Sequence, residues 1–303
     1  MSNESYRSRV NRLGGAGGGA RSDGVSSALV DAAGSAIRVQ PMEAPATNAS
    51  PTTCVGPGVF ESLSVVIPAY NAEREVAATL DSVHAYLQEH GLVFEIIVVD
   101  DGSGDRTASC VSACPHEIKL LQNKCNRGKG YSVRRGMLAA KHAWVLFMDV
   151  DNSTSIDHLD RFAPYAAESD VLIASRRLSA SNILRRQPRL RQILGKSFPY
   201  LVRTLALGDI QDTQCGFKVF RHDAAKDIFA RQVSAGFCFD VEILLVARRL
   251  GYRIEEIAVN WSNPPGSTVR VGIDPVLMFL DLLRITWRHR KEKYRASQRA
   301  VYA

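Results

Sequence analysis

At residues 145–152 an apolar run ends abruptly in two carboxylates, Asp149 and Asp151. A run that is apolar at every position predicts a strand buried on both faces, as in a parallel sheet covered by helices. Ligands of open α/β sheets bind beyond the carboxyl ends of such strands. Residues two apart on an extended strand tip point the same way, so the two carboxylates are expected to share one divalent cation.

The residues before this strand alternate between strand and helix patterns. Apolar runs at 63–67 and 94–99 predict strands, and apolar residues recur at helical spacing over 76–87 between them. Glu73 and Glu75 are expected in the first turn of that helix. A short strand at 118–121, a helix through Met137, and the 145–149 strand continue the alternation. This pattern predicts a Rossmann-like, mostly parallel sheet with right-handed crossovers and flanking helices.

A second pair of acids, Asp100 and Asp101, follows the 94–99 run. A carboxylate there can accept a hydrogen bond from a nucleotide base or a ribose hydroxyl. The sequence Asp-Asp-Gly-Ser is also good turn chemistry, so the pair taken alone leaves both interpretations open. Residues 126–130 lack the spacing of a phosphate-binding P-loop, and the start of a helix explains them better. Two acidic strand ends in one β/α unit favour a binding site.

The charge is concentrated in two places. The net charge of the 303 residues is +7, and residues 284–303 carry seven Lys or Arg and one Glu. Residues 171–208 carry eight Lys or Arg and no acid, interleaved with apolar residues. Local basic patches of this kind indicate an anionic surface or a phosphate ligand and argue against nucleic acid. Both stretches are expected to form amphipathic helices at a membrane interface, although core packing with solvated arginines fits the pattern of residues 171–208 equally well.

Cysteine usage and the termini indicate a cytoplasmic protein. Six cysteines lack the paired spacing typical of zinc ligands, so they are expected to be reduced thiols and a zinc site is disfavoured. There is no apolar signal core and no uncharged apolar run of the roughly 18 residues that span a bilayer. Residues 1–59 are rich in Gly, Ala and Ser and are predicted to be disordered, as a passive extension more than a regulatory tail. The cysteines are Cys54, Cys110, Cys114, Cys125, Cys215 and Cys238.

Several motifs together resemble family 2 glycosyltransferases of the GT-A fold. They are Ser-Val-Val-Ile-Pro-Ala-Tyr-Asn at 64–71, Val-Val-Asp-Asp-Gly-Ser at 98–103, Asn-Arg-Gly-Lys-Gly at 126–130 and Asp-Val-Asp at 149–151. Three later motifs resemble the dolichyl-phosphate β-glucosyltransferase branch, close to the polyprenyl-phosphate mannose synthases. These lie at 212–218, 239–242 and 257–261, and the resemblance covers about residues 62–285.

The resemblance implies a donor site at the two acidic strand ends. Pro68, Tyr70 and Asp100 would hold the base and ribose, with Asp101 nearby. The family often has Glu at the position of Ala72. This chain has Glu at the next position, so Glu73 is assigned to the donor site in its place. The remaining assignments are Asp149 and Asp151 as ligands of Mg²⁺ or Mn²⁺ and of the donor diphosphate, Val150 between them, and Arg176 as a further donor contact.

The same resemblance implies an acceptor site in the basic block. Arg191, with Lys196, would receive the phosphate of a polyprenyl lipid. Asp212 would position the acceptor or act as an auxiliary acid or base, and the alternative is an ion pair with one of the arginines. Ser153 replaces a metal-binding Gln of the mannose synthases, which weakens transfer of their sugar specificity. Weaker candidates are Asp240 and Glu242, which otherwise cap their helix, and Arg270, the nearest match to an arginine of the mannose synthases.

These assignments predict an inverting, metal-dependent hexosyltransferase. A phosphate monoester is already anionic at neutral pH, so the acceptor needs neutralisation more than a general base. UDP-glucose is the favoured donor, and glucose is the group that is transferred. The acceptor is expected to be polyprenyl or dolichyl phosphate at the cytoplasmic face of a membrane. The alternatives are a GDP-mannose-dependent synthase, a soluble glycosyltransferase with a small acceptor, and a non-catalytic basic membrane-binding protein. The expected domains are a disordered tail at 1–59, a GT-A domain at 60–273 and a basic amphipathic helix at 274–303.

Overall fold

The strand predicted at residue 145 lies in the centre of a seven-stranded sheet. The computed structural model describes residues 59–183, 207–262, 274–291 and 294, all within one compact unit, Thr52–Ala303. The central strand is Trp144–Met148, and all five of its residues are buried. Its neighbours are Ser62–Ala69, which is parallel to it, and Phe217–Arg221, which is antiparallel. The mostly parallel sheet is therefore confirmed, with one reversed strand inside it.

The strands are numbered in chain order. The main sheet has the order β3-β2-β1-β4-β7-β5-β8, and β6 pairs with β9 in a separate two-stranded parallel sheet. Only the pairs that include β7 are antiparallel among the described strands. The bounds are β1 Ser62–Ala69, β2 Val93–Asp100, β3 Ile118–Gln122, β4 Trp144–Met148, β5 Val171–Ser175, β6 Asn182–Ile183, β7 Phe217–Arg221, β8 Ile254–Ala258 and β9 Asn260–Trp261.

Helices connect these strands, and one expectation about them was wrong. Glu73 and Glu75 precede the first helix, which begins at Val76, because Glu73 is held by the neighbouring loop at Arg106. None of the described helices is both long and apolar enough to cross a bilayer. The bounds are α1 Val76–Glu89, α2 Thr107–Ser112, α3 Lys129–Ala139, α4 Leu159–Phe162, α5 His222–Arg231, α6 Phe239–Arg249 and α7 Asp274–Lys291, with 3-10 turns at Ile156–His158 and Ala163–Tyr165.

The sheet separates two apolar cores, which explains why its strands are apolar on both faces. Alternate residues of β4 divide between them: Val145 and Phe147 face one core, whereas Leu146 and Met148 face the other. Helices α3, α5, α6 and α7 cover the first face, and α1 and α4 cover the second. Because β1, β2 and β4 are parallel, their carboxyl ends lie at one edge of the sheet.

Candidate active site

The two acids after β4 lie on a turn and not on an extended strand tip. The strand ends at Met148, and the Asn152 N–H donates to the Asp149 carbonyl oxygen at 3.4 Å. The expectation that Asp149 and Asp151 point the same way because they lie two apart on an extended strand therefore does not apply. Both carboxylates nevertheless lie on the same turn. Asp151 is exposed, and its Oδ1 accepts hydrogen bonds from the Ser153 N–H at 3.0 Å and hydroxyl at 2.6 Å.

The same turn has a third side-chain oxygen of the type that binds hard cations. The Asn152 Oδ1 is buried and has no hydrogen-bond partner within the described part of the chain. Asn152 has a φ of +52°, a left-handed conformation that Asn adopts more readily than most residues. The carbonyl of Val150 is already engaged, since it accepts a bond from the Thr79 hydroxyl at 2.7 Å. Two carboxylates and an unpaired amide oxygen are a donor set that fits Mg²⁺ or Mn²⁺.

Asp149 is held between a lysine and a glycine that the sequence did not single out. The Lys129 ammonium, at the start of α3, lies 2.7 Å from Asp149 Oδ1. Burial lowers the pKa of Lys129, but the carboxylates of Asp149 and Asp240 outweigh that effect and raise it. Across from it, a Cβ on Gly216 would meet Asp149 Oδ2 at 2.0 Å. The lack of a side chain at Gly216 therefore creates the space that the carboxylate occupies.

The two acids after β2 have different environments. Asp101 is buried, and its carboxylate accepts bonds from the backbone N–H of Arg127 at 3.0 Å and of Gly128 at 2.8 Å, and from the Asn123 amide at 2.7 Å. It therefore fixes the loop that leads to Lys129, and its place in the donor site stays a prediction. Asp100 Oδ1 accepts bonds from the Ser103 N–H and hydroxyl, whereas Oδ2 has no such partner among the described residues. Asp100 thus remains the candidate for a nucleotide hydrogen bond.

The loop after β1 is tied to the loop after β2. The Glu73 carboxylate accepts bonds from the Arg106 N–H at 3.1 Å and its guanidinium Nε at 3.2 Å. The hydrogen bond from the Arg106 N–H is the largest of the effects that lower the pKa of Glu73. Tyr70 is 45% exposed at this edge, whereas Pro68 is buried inside β1. Pro68 therefore lies in the strand that positions Tyr70, and the donor contacts expected of both residues stay predictions.

Arg176 and Asp212 form a bidentate ion pair in which the carboxylate is buried and the arginine side chain is 27% exposed. Arg176 Nε lies 2.7 Å from Asp212 Oδ2, and its Nη2 lies 2.9 Å from Oδ1. Burial raises the pKa of Asp212, but the guanidinium of Arg176 outweighs it and lowers that pKa to about 2. Asp212 therefore forms the ion pair with an arginine that was the alternative to a role toward the acceptor. The Arg176 guanidinium also lies 5.4 Å from the centre of the Trp261 ring.

Asp240 and Glu242 do not cap their helix; each has a buried partner elsewhere. The ammonium of Lys218, which is fully buried, donates to Asp240 Oδ1. Burial raises the pKa of Asp240, and Lys218 offsets only part of that increase. Glu242 accepts bonds from the N–H of Ser234 at 2.7 Å and from His289 Nε2 at 2.8 Å. These two carboxylates therefore hold the α6 region together and connect it to α7.

Three of the predicted site residues, Arg191, Lys196 and Arg270, lie outside the described residues. Two positions that the sequence reasoning missed, Lys129 and Gly216, belong to motifs that it had identified, at 126–130 and 212–218. A third, Glu256, lies in β8 and accepts bonds from the N–H groups of residues 211 and 212. No local pattern marked Glu256, because its partners are more than 40 residues away.

The glycosyl transferase family 2 model matches residues 64–229, which include β1 to β5, β7 and the Asp149 turn. The chain belongs to glycosyltransferase family 2. Within the family it is 35% identical to the dolichyl-phosphate beta-glucosyltransferase of Dictyostelium discoideum, over 75% of this chain and 74% of that protein. The enzyme of the same name from Saccharomyces cerevisiae is 32% identical over 78% of each chain. The human one is 30% identical over 80% of this chain and 81% of its own.

Solved structures of other transferases share the fold. Glucosyl-3-phosphoglycerate synthase from Mycobacterium tuberculosis, crystallised with Mn²⁺, UDP and glucosyl-3-phosphoglycerate, has a TM-score of 0.61 and 20% identity over 80% of this chain and 87% of that one. Mannosyl-3-phosphoglycerate synthase from Rubrobacter xylanophilus has a TM-score of 0.57 and 18% identity, over 78% and 76%. At these identities the likeness confirms the GT-A type of fold.

Proposed function

We propose that this glycosyltransferase moves glucose from UDP-glucose to a dolichyl or other polyprenyl phosphate and gives a β-linked product. The observation that carries the proposal is the identity of 30–35% with enzymes of that activity, which extends over three quarters or more of this chain. The family match at residues 64–229 includes both acidic strand ends, the Arg176–Asp212 pair and Lys218.

The donor diphosphate is proposed to bind at the turn after β4. Asp149, Asp151 and the unpaired oxygen of Asn152 would hold Mg²⁺ or Mn²⁺. When bound, such a cation would stabilise the negative charge that develops on the leaving diphosphate. Lys129 places a second positive charge at the same carboxylate and would contribute to that neutralisation. Asp100 and Tyr70 would hold the base and ribose at the neighbouring strand ends.

The acceptor side of the reaction needs no general base. A phosphate monoester has a second pKa near ~6, so its oxygen is an anionic nucleophile at neutral pH. This agrees with the very low pKa of Asp212, which keeps that carboxylate deprotonated and paired with Arg176. Cationic groups suit the recognition of such an acceptor. Arg191 and Lys196 remain the proposed contacts, with Arg270 as a weaker candidate.

The acceptor lipid requires a membrane surface, and α7 has a face that suits one. Leu280, Leu283 and Trp287 are 55%, 44% and 62% exposed, at the spacing of one helical stripe. Arg284 and Arg288 are exposed beside them, and anionic lipid would stabilise each by on the order of 1 kcal/mol. We therefore propose that the protein is peripheral on the cytoplasmic face of a membrane, with α7 in the interface.

A donor and acceptor matrix tests the activity. The full chain would be incubated with radiolabelled UDP-glucose, GDP-mannose or UDP-galactose, each with polyprenyl phosphate and either Mn²⁺ or Mg²⁺. Label from UDP-glucose is expected in the organic phase and is expected to disappear with a chelator. Organic-phase label from GDP-mannose alone would replace glucose by mannose, and label found only on a water-soluble acceptor would refute the lipid assignment.

Binding to vesicles tests the location independently of catalysis. Sedimentation with vesicles that contain anionic lipid is expected to recover the wild-type chain and much less of Trp287→Ser. Val233→Ser is the matched control, since Val233 is also an exposed apolar residue, at 47%, but lies outside α7. Equal recovery of both variants would contradict the proposed role of α7.

A further inference from the structure

Three metal-binding side chains converge between α1 and the segment that joins α2 to β3. Asp81 lies on α1, and Cys114 and His116 lie on the joining segment. One carboxylate oxygen, the thiol sulfur and one imidazole nitrogen of these residues all lie within 4.8 Å of one another. The His116 Nε2 is 3.0 Å from Asp81 Oδ1. None of these groups belongs to the donor or acceptor sites described above.

The spacing is compatible with a tetrahedral metal ion. Bonds of about 2.0 Å to nitrogen or oxygen and 2.3 Å to sulfur separate the ligand atoms by roughly 3.3–3.6 Å. The present contact of 3.0 Å between Asp81 and His116 is slightly shorter, and the upper limit of 4.8 Å for the group is slightly longer. Side-chain adjustments of about an ångström would therefore form the site. A thiolate and an imidazole select Zn²⁺ over Mg²⁺ or Mn²⁺, which prefer oxygen ligands.

The surrounding residues hold two of the three ligands in place. The His116 ring stacks on the His84 ring, with centres 3.8 Å apart and planes 10° from parallel. His84 lies on α1, close to one turn after Asp81. Its ring also makes an edge-to-face contact with the Phe94 ring. Cys114 is positioned by its N–H, which donates to the Val111 carbonyl at 3.2 Å. Cys114 is a free thiol and is only partly buried, so an ion can reach it.

We propose that Asp81, Cys114 and His116 bind Zn²⁺, with a fourth position open to water. The spacing of cysteines along the sequence gave no indication of this site, because Asp81 is distant in the chain from the other two ligands. The ion would link α1 to the end of α2. Both helices begin just after the loops that are tied together by Glu73 and Arg106, so zinc would stabilise the helices that position those loops.

Calorimetric titration of Zn²⁺ into the full chain tests the proposal. Excess Mg²⁺ in the buffer would occupy the oxygen-rich site at Asp149. The wild-type chain is expected to bind one zinc ion with an affinity roughly tenfold or more above that of Cys114→Ser. Cys125→Ser is the matched control, because Cys125 is an exposed free thiol outside the cluster, and it is expected to bind like the wild type. Absence of zinc binding, or equal affinities for Cys114→Ser and the wild type, would overturn the proposal.

Cobalt spectroscopy identifies the ligands without any dependence on transfer activity. Co²⁺ in place of Zn²⁺ is expected to give a thiolate-to-metal charge-transfer band in the wild type and in Cys125→Ser, but not in Cys114→Ser. His116→Gln is expected to weaken binding while leaving that band at saturating Co²⁺. Thermal unfolding of each variant in EDTA controls for the fold, and a band that survives in Cys114→Ser would refute the assignment of the thiol.

Discussion

Replacing Asp212 by Asn removes the negative charge opposite Arg176 and preserves the size of the side chain. The guanidinium of Arg176, whose side chain is 27% exposed, would lose the carboxylate that neutralises it and its two charge-assisted hydrogen bonds to that carboxylate. Removing one partner of a buried ion pair typically lowers the free energy of unfolding by about 3–5 kcal/mol. Because the Arg176 side chain is 27% exposed and water can partly solvate it, we expect a smaller loss at neutral pH, about 2–3 kcal/mol.

The pKa of Asp212 gives a second estimate and a pH dependence. Its folded value of about 2 lies below the ordinary aspartate value of 3.8, and a difference of this size corresponds to about 2 kcal/mol. Because the folded pKa is depressed, this stabilisation is fully present above the unfolded value and is lost as pH falls through the folded value. The stability difference between the wild type and Asp212→Asn is therefore expected to shrink between pH 3.8 and pH 2.

Urea unfolding at pH 7 and at several values down to pH 3 measures both effects. Asp209→Asn is the matched control, because Asp209 also pairs with an arginine, Arg248, but its side chain is 72% exposed. Exposed ion pairs contribute about 0–1 kcal/mol, so that variant is expected to unfold close to the wild type. An Asp212→Asn variant as stable as the wild type, or a difference that does not shrink with acid, would refute the reasoning. A changed pH profile of kcat in Asp212→Asn would instead support an acid or base role for Asp212 in the transfer reaction.

Three further predictions concern the turn after β4. Asp151→Ala is expected to abolish transfer at any Mn²⁺ concentration with an unchanged Tm, since Asp151 is exposed, and near-normal turnover would rule out its metal role. Gly216→Ala would force its Cβ against Asp149, so kcat/KM is expected to fall by about two orders of magnitude, as a misplacement of about 1 Å can cause. Gly104→Ala, where a Cβ meets nothing within 4 Å, should differ little in the same assay. Lys129→Met is expected to raise KM for the donor and lower kcat, and unchanged kinetics would remove Lys129 from the site.

The order of strands and helices could be predicted because the signals are local. The runs at 63–67, 94–99 and 145–149 each became a strand within two residues of the predicted bounds. Their mostly apolar character follows from burial on both faces of the sheet, since alternate residues of β4 face the two different cores. The reversed direction of β7 was not predicted, because the sequence at 217–221 does not distinguish an antiparallel neighbour from a parallel one.

The acids of the site show where local reasoning failed. Asp100 and Asp101 are adjacent and were assigned together, but Asp101 is saturated by groups from residues 123–128. Asp100 keeps one carboxylate oxygen without a hydrogen-bond partner among the residues that the structure describes. The turn chemistry of Asp-Asp-Gly-Ser could not separate them, since the loop that engages Asp101 is more than 20 residues away. The sequence could not show which arginine pairs with Asp212 for the same reason, because Arg176 lies 36 positions earlier in the chain.

The sequence by itself determined the family, the β/α alternation and the two acidic strand ends, because these depend on residue type and short-range spacing. Only the tertiary structure decided the partner of each charged group. Lys129 contacts Asp149, Arg176 pairs with Asp212, and the buried Lys218 pairs with Asp240 across elements that the sheet order brings together. A charge in a buried site is stable only beside its partner, so the function of each acid depends on contacts that short-range spacing does not encode.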